Sequence, residues 1–533
     1  MPPIIKKGPM IKEKLSSAIA RIIGEIPAGH EIERIKETRW GDFSSNIGFL
    51  LKKRGEEGLM EKLLTELSGD KDFREVKLIR GYLNFTFAFP YLWEGLKKAK
   101  EEDFGKALWG RGEKVLLEFV SANPTGPLSV VQARAGALGQ ALANLLKYSG
   151  FVVETEYYIN DCGTQVDLLF QSLEARIREL KGEKVSLPPG GYPGEYVKEI
   201  AREILDQGIE ERRRYLIERI VAMQKESLRA FKIHFDSFKR ESEILPKVER
   251  VLRELKEKRL TYEKDGALFF LASRFGDSED RVLITRDGRL TYFATDLAYH
   301  LDKFERGFSL LINIWGPDHH GYIPRMKAGI KALGYNPDRL IIIIAQQVSL
   351  LREKSAVKMS KRKGEIITLD EVREEIGTDT LKFYLLMRKP SCGIQFDLAL
   401  AKEETKDNPV YYVQYAHARL SSILQFAEKQ GYREESFLSD PPLSLLGEPE
   451  REVMVGVLYF PDVVKMSAKS FEPHILLYYL LELAEAFHNY YEKERIVSED
   501  KELTRARLYL SLVLKKTLKK GLALLGIEAK EKM

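Results

Sequence analysis

Four groups of side chains in this sequence have the types and spacing to do chemistry. Lys358, Lys361, Arg362 and Lys363 crowd one short segment closed by Gly364. Cations packed this closely stabilise phosphoryl and pyrophosphate groups as negative charge develops, although most basic runs are only a solvated surface. Glu118 interrupts an apolar run, VLLEFV, with Asn123 just beyond it. A carboxylate there is costly unless paired. Tyr292 and Asp296 in TYFATDLAYHL stand one helical turn apart and share a face. Two carboxylates in one cleft suit a guanidinium or an ammonium, because a forked cation matches a carboxylate. The same two groups would also serve as general acid and base for a hydrolysis, and their spacing in sequence does not choose. Asp318-His319-His320 follows a strand end. Adjacent histidines without a third ligand do not make a metal site, so no metal is expected. Polar recognition of a small ligand fits better, with a pair of core histidines as the plain alternative.

The elements that must carry these groups follow from the pattern of apolar residues. Residues 114–120 read as a buried parallel strand and 121–128 as a turn-rich loop with Asn123-Pro124 and Gly126-Pro127. Residues 129–148 have small and apolar residues at helical spacing, and 152–159 are β-branched and aromatic. Such a strand–loop–helix–strand unit aims a helix N-terminus at the carboxyl end of the sheet, where anions and nucleotides bind. Short strands at 267–271 and 281–285 and buried strands at 309–314 and 340–345 continue the series. Helical stretches at 174–181, 196–207 and 209–235 read as an insertion. The expected core is therefore α/β, a doubly wound parallel sheet. Before it, a helix at 11–23, a Lys/Glu-rich helix at 48–67 and an alternating stretch at 76–87 make an α+β module. After residue 369 nearly everything is helical, an all-α C-terminal domain. The expected boundaries are 1–108, 112–380 with a helical insertion at about 168–265, and 381–533.

Composition narrows the classes. Apolar residues make up 44% and charged residues 31% of 533 residues, an ordinary balance for a soluble chain with ample core. The net charge of +5, from 85 basic and 80 acidic residues, is too small to demand a nucleic-acid partner. Cys162 and Cys392 are the only cysteines, which excludes a disulfide framework and a four-thiolate zinc site and suits a reducing cytosol. The N-terminal residues lack an apolar leader, and the run LIIIIA is far too short to span a bilayer.

With those residues in view, the chain resembles a class I aminoacyl-tRNA synthetase, and specifically the bacterial-type arginyl-tRNA synthetases. EFVSANPTGPL, EYYINDCGTQ, GYPGEY, DLAYH, WGPDHHGYIPRMKA, VKMSKRKG, NPVYYVQYAHARL and ALLGIEAKEKM are similar to that family's blocks, in its order. They run from about Trp40 to Met533. The resemblance implies an N-terminal tRNA-contacting domain, a catalytic nucleotide-binding fold and a helical anticodon-binding domain. It implies that ATP and L-arginine, with Mg2+ accompanying the ATP, form arginyl-adenylate. The arginine is then transferred to tRNA(Arg), in a cytoplasmic and monomeric enzyme. In this family the first step usually requires bound tRNA. Carried over by position, Glu118, Ser121 and Asn123 match the arginine pocket. Tyr292 and Asp296 match the pair facing the guanidinium, and His319 a further substrate contact. Pro127, Ser129, Gln132, Arg134, Lys358, Met359, Ser360 and Lys361 fall in the ATP site, with Lys358 and Lys361 as the phosphate-holding lysines. For the RNA, basic and aromatic residues are the expected contacts: Tyr411, Tyr415 and Arg419 on one helix, and Tyr82 and Asn84 in the N-terminal module.

One block departs from the family. Where its members carry His-x-Gly-His, this sequence reads Ser129-Val130-Val131-Gln132, and a further family aspartate appears as Gln140. Loss of one transition-state donor typically costs about 10²–10³ in rate, and two such losses need not add. Ser129 and Gln132 still donate hydrogen bonds, without positive charge. Val131 places a β-branched side chain where glycine admits the adenine. Two readings follow: a working arginine–tRNA ligase compensated elsewhere, with Arg134 and the intact cationic loop as the candidates, or a weak or inactive paralogue that binds tRNA or arginine.

Overall fold

Four largely apolar runs and one polar edge segment become the strands of one all-parallel sheet in the computed structural model, which describes residues 10–352, 355–356, 367–405 and 407–533. The cationic segment with Lys358, Met359, Ser360 and Lys361 lies outside the described residues. The strands are β1 (Lys114–Glu118), β2 (Val152–Ile159), β3 (Ser237–Arg240), β4 (Leu310–Trp315) and β5 (Leu340–Ile344), in spatial order β5-β4-β1-β2-β3. The order reverses between β1 and β4, so the crevice beyond their carboxyl ends is the place for a ligand. Register sets Asn313 of β4 opposite Glu118 of β1 at that crevice. Helix α1 (Val130–Tyr148) follows β1 and lies close to it, since a Cβ on Gly139 would stand 2.2 Å from Cγ of Phe119. The other helices used here are α2 (Arg212–Ala230), α3 (Glu241–Glu257) and α4 (Tyr292–Glu305). Leu116, Leu297, Leu311 and Leu340 join strands and helices in one buried cluster.

Several details differ from the expectations. The stretch at 48–67 is two helices, Ile47–Arg54 and Gly58–Ser68, parted at Gly55, whose φ of 71° caps the first. The short strands Ala267–Phe270 and Arg281–Ile284 do not enter the parallel sheet. They pair antiparallel with Thr261–Lys264 in a sheet of their own, around an Asp265-Gly266 turn in which both φ angles are positive. The helical excursion stops before β3, because residues 237–240 form the edge of the central sheet. Val348–Arg352 is a further strand, paired in parallel with Ile394–Asp397.

The chain divides into two compact units, residues 108–403 with 472–474, and residues 1–107 with 404–471 and 475–533. In the second unit a four-stranded antiparallel sheet packs with the C-terminal helices, among them α5 (Pro409–Lys429) and α6 (Glu448–Ser470). Phe43 meets Tyr459 edge-on with ring centroids 5.3 Å apart. Arg451, nearly fully buried, donates to Asp42 at 3.2 Å and to the Phe87 carbonyl at 3.0 Å. Asp462 accepts the N–H groups of Ile11 and Lys12, which start the first helix. No described helix is long and apolar enough to cross a membrane.

Candidate active site

The backbone leaves β1 through a strained turn. Val120 has φ of 69° and Ser121 of 40°, a region that a β-branched residue rarely enters and that costs about 1–3 kcal/mol per residue. Ser121 is held in it from two sides. Its hydroxyl donates to Glu118 Oε1 at 2.9 Å and accepts the N–H of Tyr158 at 3.1 Å. The loop that follows is supported from beneath. Gln224 of α2 donates to the carbonyls of Asn123 and Gly126, and Tyr196 donates to that of Thr125 at 2.6 Å. Asn123 itself accepts from Asn160 and donates to Gln165.

Asp296 projects from the first turns of α4. Burial raises its proton affinity to about 7, against the Tyr322 hydroxyl, which favours the carboxylate, and with the charges of Glu118 and Glu241, which raise it further. Tyr292, one turn earlier, is 61% exposed and feels the charges of Glu241 and of Asp296 itself. Glu241, the first residue of α3, is buried, its proton affinity is raised by burial and by Asp161, and Oε2 has no hydrogen-bond partner. The Tyr158 hydroxyl is likewise buried and unpartnered, and burial first, then Glu241 and Asp296, push its pKa far up. His319 sits at the rim with Nδ1 3.2 Å from Asp318 and its ring 5.8 Å from Trp315. The crevice thus holds two carboxylates whose proton affinity burial raises, and two buried polar atoms without a partner, Glu241 Oε2 and the Tyr158 hydroxyl.

Three expected residues have other duties. Glu118 does not stand free opposite Asp296: its Oε2 is ion-paired with the buried Lys303 and its Oε1 is taken by Ser121. A second carboxylate whose charge raises the proton affinity of Asp296 is Glu241, which has no ion pair among the described residues. Arg134 is not available to ATP. Its side chain is fully buried and donates to the carbonyls of Gln346, Lys389 and Cys392 at 2.6, 3.0 and 2.8 Å. Burial lowers its pKa to about 10. Asn84 is buried too. It accepts from Ser44 and donates to the Trp40 carbonyl, so it ties strands together and offers nothing to RNA. Tyr82, in contrast, is 46% exposed and packs edge-on with the equally exposed Phe49.

Ser129 and Gln132 open α1 as a capping pair, with Gln132 Oε1 accepting both the N–H and the hydroxyl of Ser129. Gln132 lines a cavity of about 170 Å³ with Asn123, Gly126, Pro127, Tyr196 and Thr368. Leu369 donates its N–H to the Leu128 carbonyl at 2.7 Å, so residues directly after the cationic segment are bonded to this turn. A larger cavity of about 890 Å³ lies among Arg212, Arg213 and Arg240. Those arginines are already paired, with Glu174, Asp167 and Glu218 respectively. On α5 the Tyr411 and Tyr415 rings stack 5.9 Å apart, His488 stacks on Tyr415, and Arg419 lies over Tyr491 at 5.0 Å.

Sequence reasoning missed Glu241, Lys303, Asn313 and His300. Glu241 reads as an ordinary acid in the first turn of an amphipathic helix. Asn313 did carry a signal, an amide inside the apolar run LLINIW, whereas Lys303 stands among other charged residues.

Residues 192–385 match the family described as tRNA synthetases class I (R), catalytic domain. The parallel sheet and its strand-end crevice are the core of a class I aminoacyl-tRNA synthetase. Residues 9–87 match the arginyl tRNA synthetase N terminal domain and residues 413–533 the DALR anticodon binding domain. The arginine–tRNA ligase of Syntrophotalea carbinolica is 42% identical over 97% of this chain and 96% of its own. That of Desulfosudis oleivorans is 41% identical over 94% and 95%. The arginyl-tRNA synthetase structure from Thermus thermophilus shares the fold, with a TM-score of 0.79 at 24% identity over 98% of this chain and 100% of that one. The chain belongs to the arginine–tRNA ligase family.

Proposed function

We propose that the crevice beyond β1 and β4 takes the side chain of L-arginine between Asp296, Glu241 and Tyr292, and activates it with ATP for transfer to tRNA(Arg). The observation that carries this reading is that Asp296, half-buried, and the buried Glu241 raise the proton affinity of the crevice beside the exposed Tyr292, and among the described residues neither is ion-paired with a lysine or arginine. A guanidinium supplies two forks of donors and one positive charge to such a pair. Ser121, Asn123 and His319 at the strand ends are then placed for the amino and carboxyl groups. ATP lies along the turn Pro127–Ser129–Gln132, where the Gln132 amide group, whose oxygen already holds Ser129, offers a neutral donor in place of an imidazole. Lys358 and Lys361, with Met359 and Ser360 between them, hold the phosphates. Mg2+ would accompany the ATP and spread its charge. Attack of the arginine carboxylate on the α-phosphorus expels pyrophosphate, and the negative charge that develops there is met by the lysines. The tRNA is received by the N-terminal module around Tyr82 and by Tyr411, Tyr415 and Arg419 of α5. The working boundaries remain 1–108, 112–380 and 381–533, and the protein acts as a cytoplasmic monomer.

Pyrophosphate exchange with ATP, arginine and tRNA tests the reading directly. Exchange above background is expected, and background exchange by folded protein would favour a non-catalytic binder. Asp296→Ala should abolish arginine binding. Lys361→Ala should keep arginine affinity and slow adenylate formation by about 10²-fold.

A further inference from the structure

Beneath the crevice lies a buried polar chain. Lys303, on α4 and 0% exposed at its side chain, is ion-paired with Glu118 and donates to Asn313 Oδ1 at 3.3 Å. Its ammonium also sits 4.1 Å from the centre of the Tyr299 ring. The Asn313 amide donates to His300 Nε2 at 2.9 Å, and His300 Nδ1 donates to the carbonyl of Asp296 at 2.7 Å. That tautomer is neutral, as its depressed pKa of about 3, set mainly by burial, requires. The chain thus runs from the backbone of Asp296 to Glu118. From Glu118 it continues through the Ser121 hydroxyl into the turn at Val120 and Ser121, whose positive φ angles need an outside restraint.

We propose that Lys303 is a positioning residue for arginine recognition: by clamping Glu118 it holds the strained Val120–Ser121 turn at a fixed place relative to Asp296. This rests on the arginine-site reading above. Glu118 is then an anchor of the turn whose charge is already answered by Lys303. Lys303 is too deep to meet arginine, ATP or RNA, so its removal acts on the arginine site alone.

The test uses the full-length protein and steady-state aminoacylation with tRNA, ATP and arginine varied in turn. Lys303→Met, close in shape, should raise the KM for arginine tenfold or more and leave the KM values for ATP and tRNA within twofold. Glu118→Gln should raise the KM for arginine as well, and Glu118→Gln/Lys303→Met should raise it no further than Glu118→Gln alone, because the lysine acts through that carboxylate. A folded Lys303→Met with unchanged arginine KM overturns the proposal, and so do additive effects of the two substitutions. If Lys303→Met alone fails to fold, the double variant, which removes both buried charges together, is compared with Glu118→Gln. Equal arginine KM values support the clamp and a tenfold gap overturns it. Asp296→Asn separates the two levels. If it leaves arginine KM unchanged, the arginine site itself is misplaced. If it raises that KM steeply while Lys303→Met does not, only the clamp fails.

Discussion

The residue that most repays titration is Asp296. Its folded proton affinity, raised to about 7 by burial first, means that the empty crevice keeps a proton well above the ordinary carboxylate range. The sign is that of a raised acid: the proton's contribution to stability is full at low pH and is lost as pH climbs through about 7. Arginine needs the ionised form. Its affinity should therefore rise about tenfold per pH unit below 7 and level off above, with one proton released on binding. Calorimetry in buffers of different ionisation enthalpy reads that proton, and Asp296→Asn should remove both effects. Glu241 makes a second claim at this scale. Glu241→Gln keeps the volume and removes one of two carboxylates, so arginine affinity should fall about 10²-fold. Affinity within twofold of the original would take Glu241 out of the site.

At the scale of elements, α1 is placed by two contacts that have nothing to do with chemistry. Gly139 lets the helix approach Phe119, whose ring atoms would lie 2.2–2.6 Å from an added Cβ. Gly139→Ala should destabilise the catalytic unit by about 1–3 kcal/mol through overpacking. Gly136→Ala, where the nearest atoms are 3.5 Å away, should be neutral or slightly stabilising. Thermal melting of the two variants makes the comparison. Arg134, two residues into the same helix from Gln132, binds carbonyls at 346, 389 and 392 and so pins the segments flanking the small parallel strand pair. Arg134→Met should lower stability by about 3 kcal/mol and leave the KM for ATP unchanged. A large rise in that KM in a fully stable variant would return Arg134 to the nucleotide site.

At the scale of the whole molecule, the unit that pools the first 107 residues with the C-terminal helices carries the surfaces assigned to RNA. The stacked Tyr411 and Tyr415 offer π-faces to unpaired bases, worth about 1–3 kcal/mol for each base stacked. Tyr411→Ala and Tyr415→Ala should each raise the KM for tRNA about tenfold with arginine affinity unaltered. Filter binding of tRNA and calorimetry with arginine would separate these. The unit's own integrity rests on buried charge. Arg451→Met leaves Asp42 buried without its partner and should cost about 3–5 kcal/mol.

What the sequence by itself determined was the kind of element and the kind of chemistry. Short apolar runs separated by helical periods mark buried strands, although those at 267–270 and 281–284 pair antiparallel in a sheet of their own, and an acid and a tyrosine four residues apart in a helix share a face. The lysine cluster and the departure at Ser129-Val130-Val131-Gln132 are likewise visible without any fold. Only the tertiary structure decided which charges are free. Glu118 and Arg134 look as available as Asp296 in the sequence, but their partners Lys303 and the carbonyls at 346, 389 and 392 come from 185 to 258 residues away. Glu241 acts on Asp296 through its charge, and it is carried there by residues 237–240, which pair with the sheet edge. A carboxylate's role is set by what neutralises it, and that is a matter of distance in space, which residue type and local spacing do not contain.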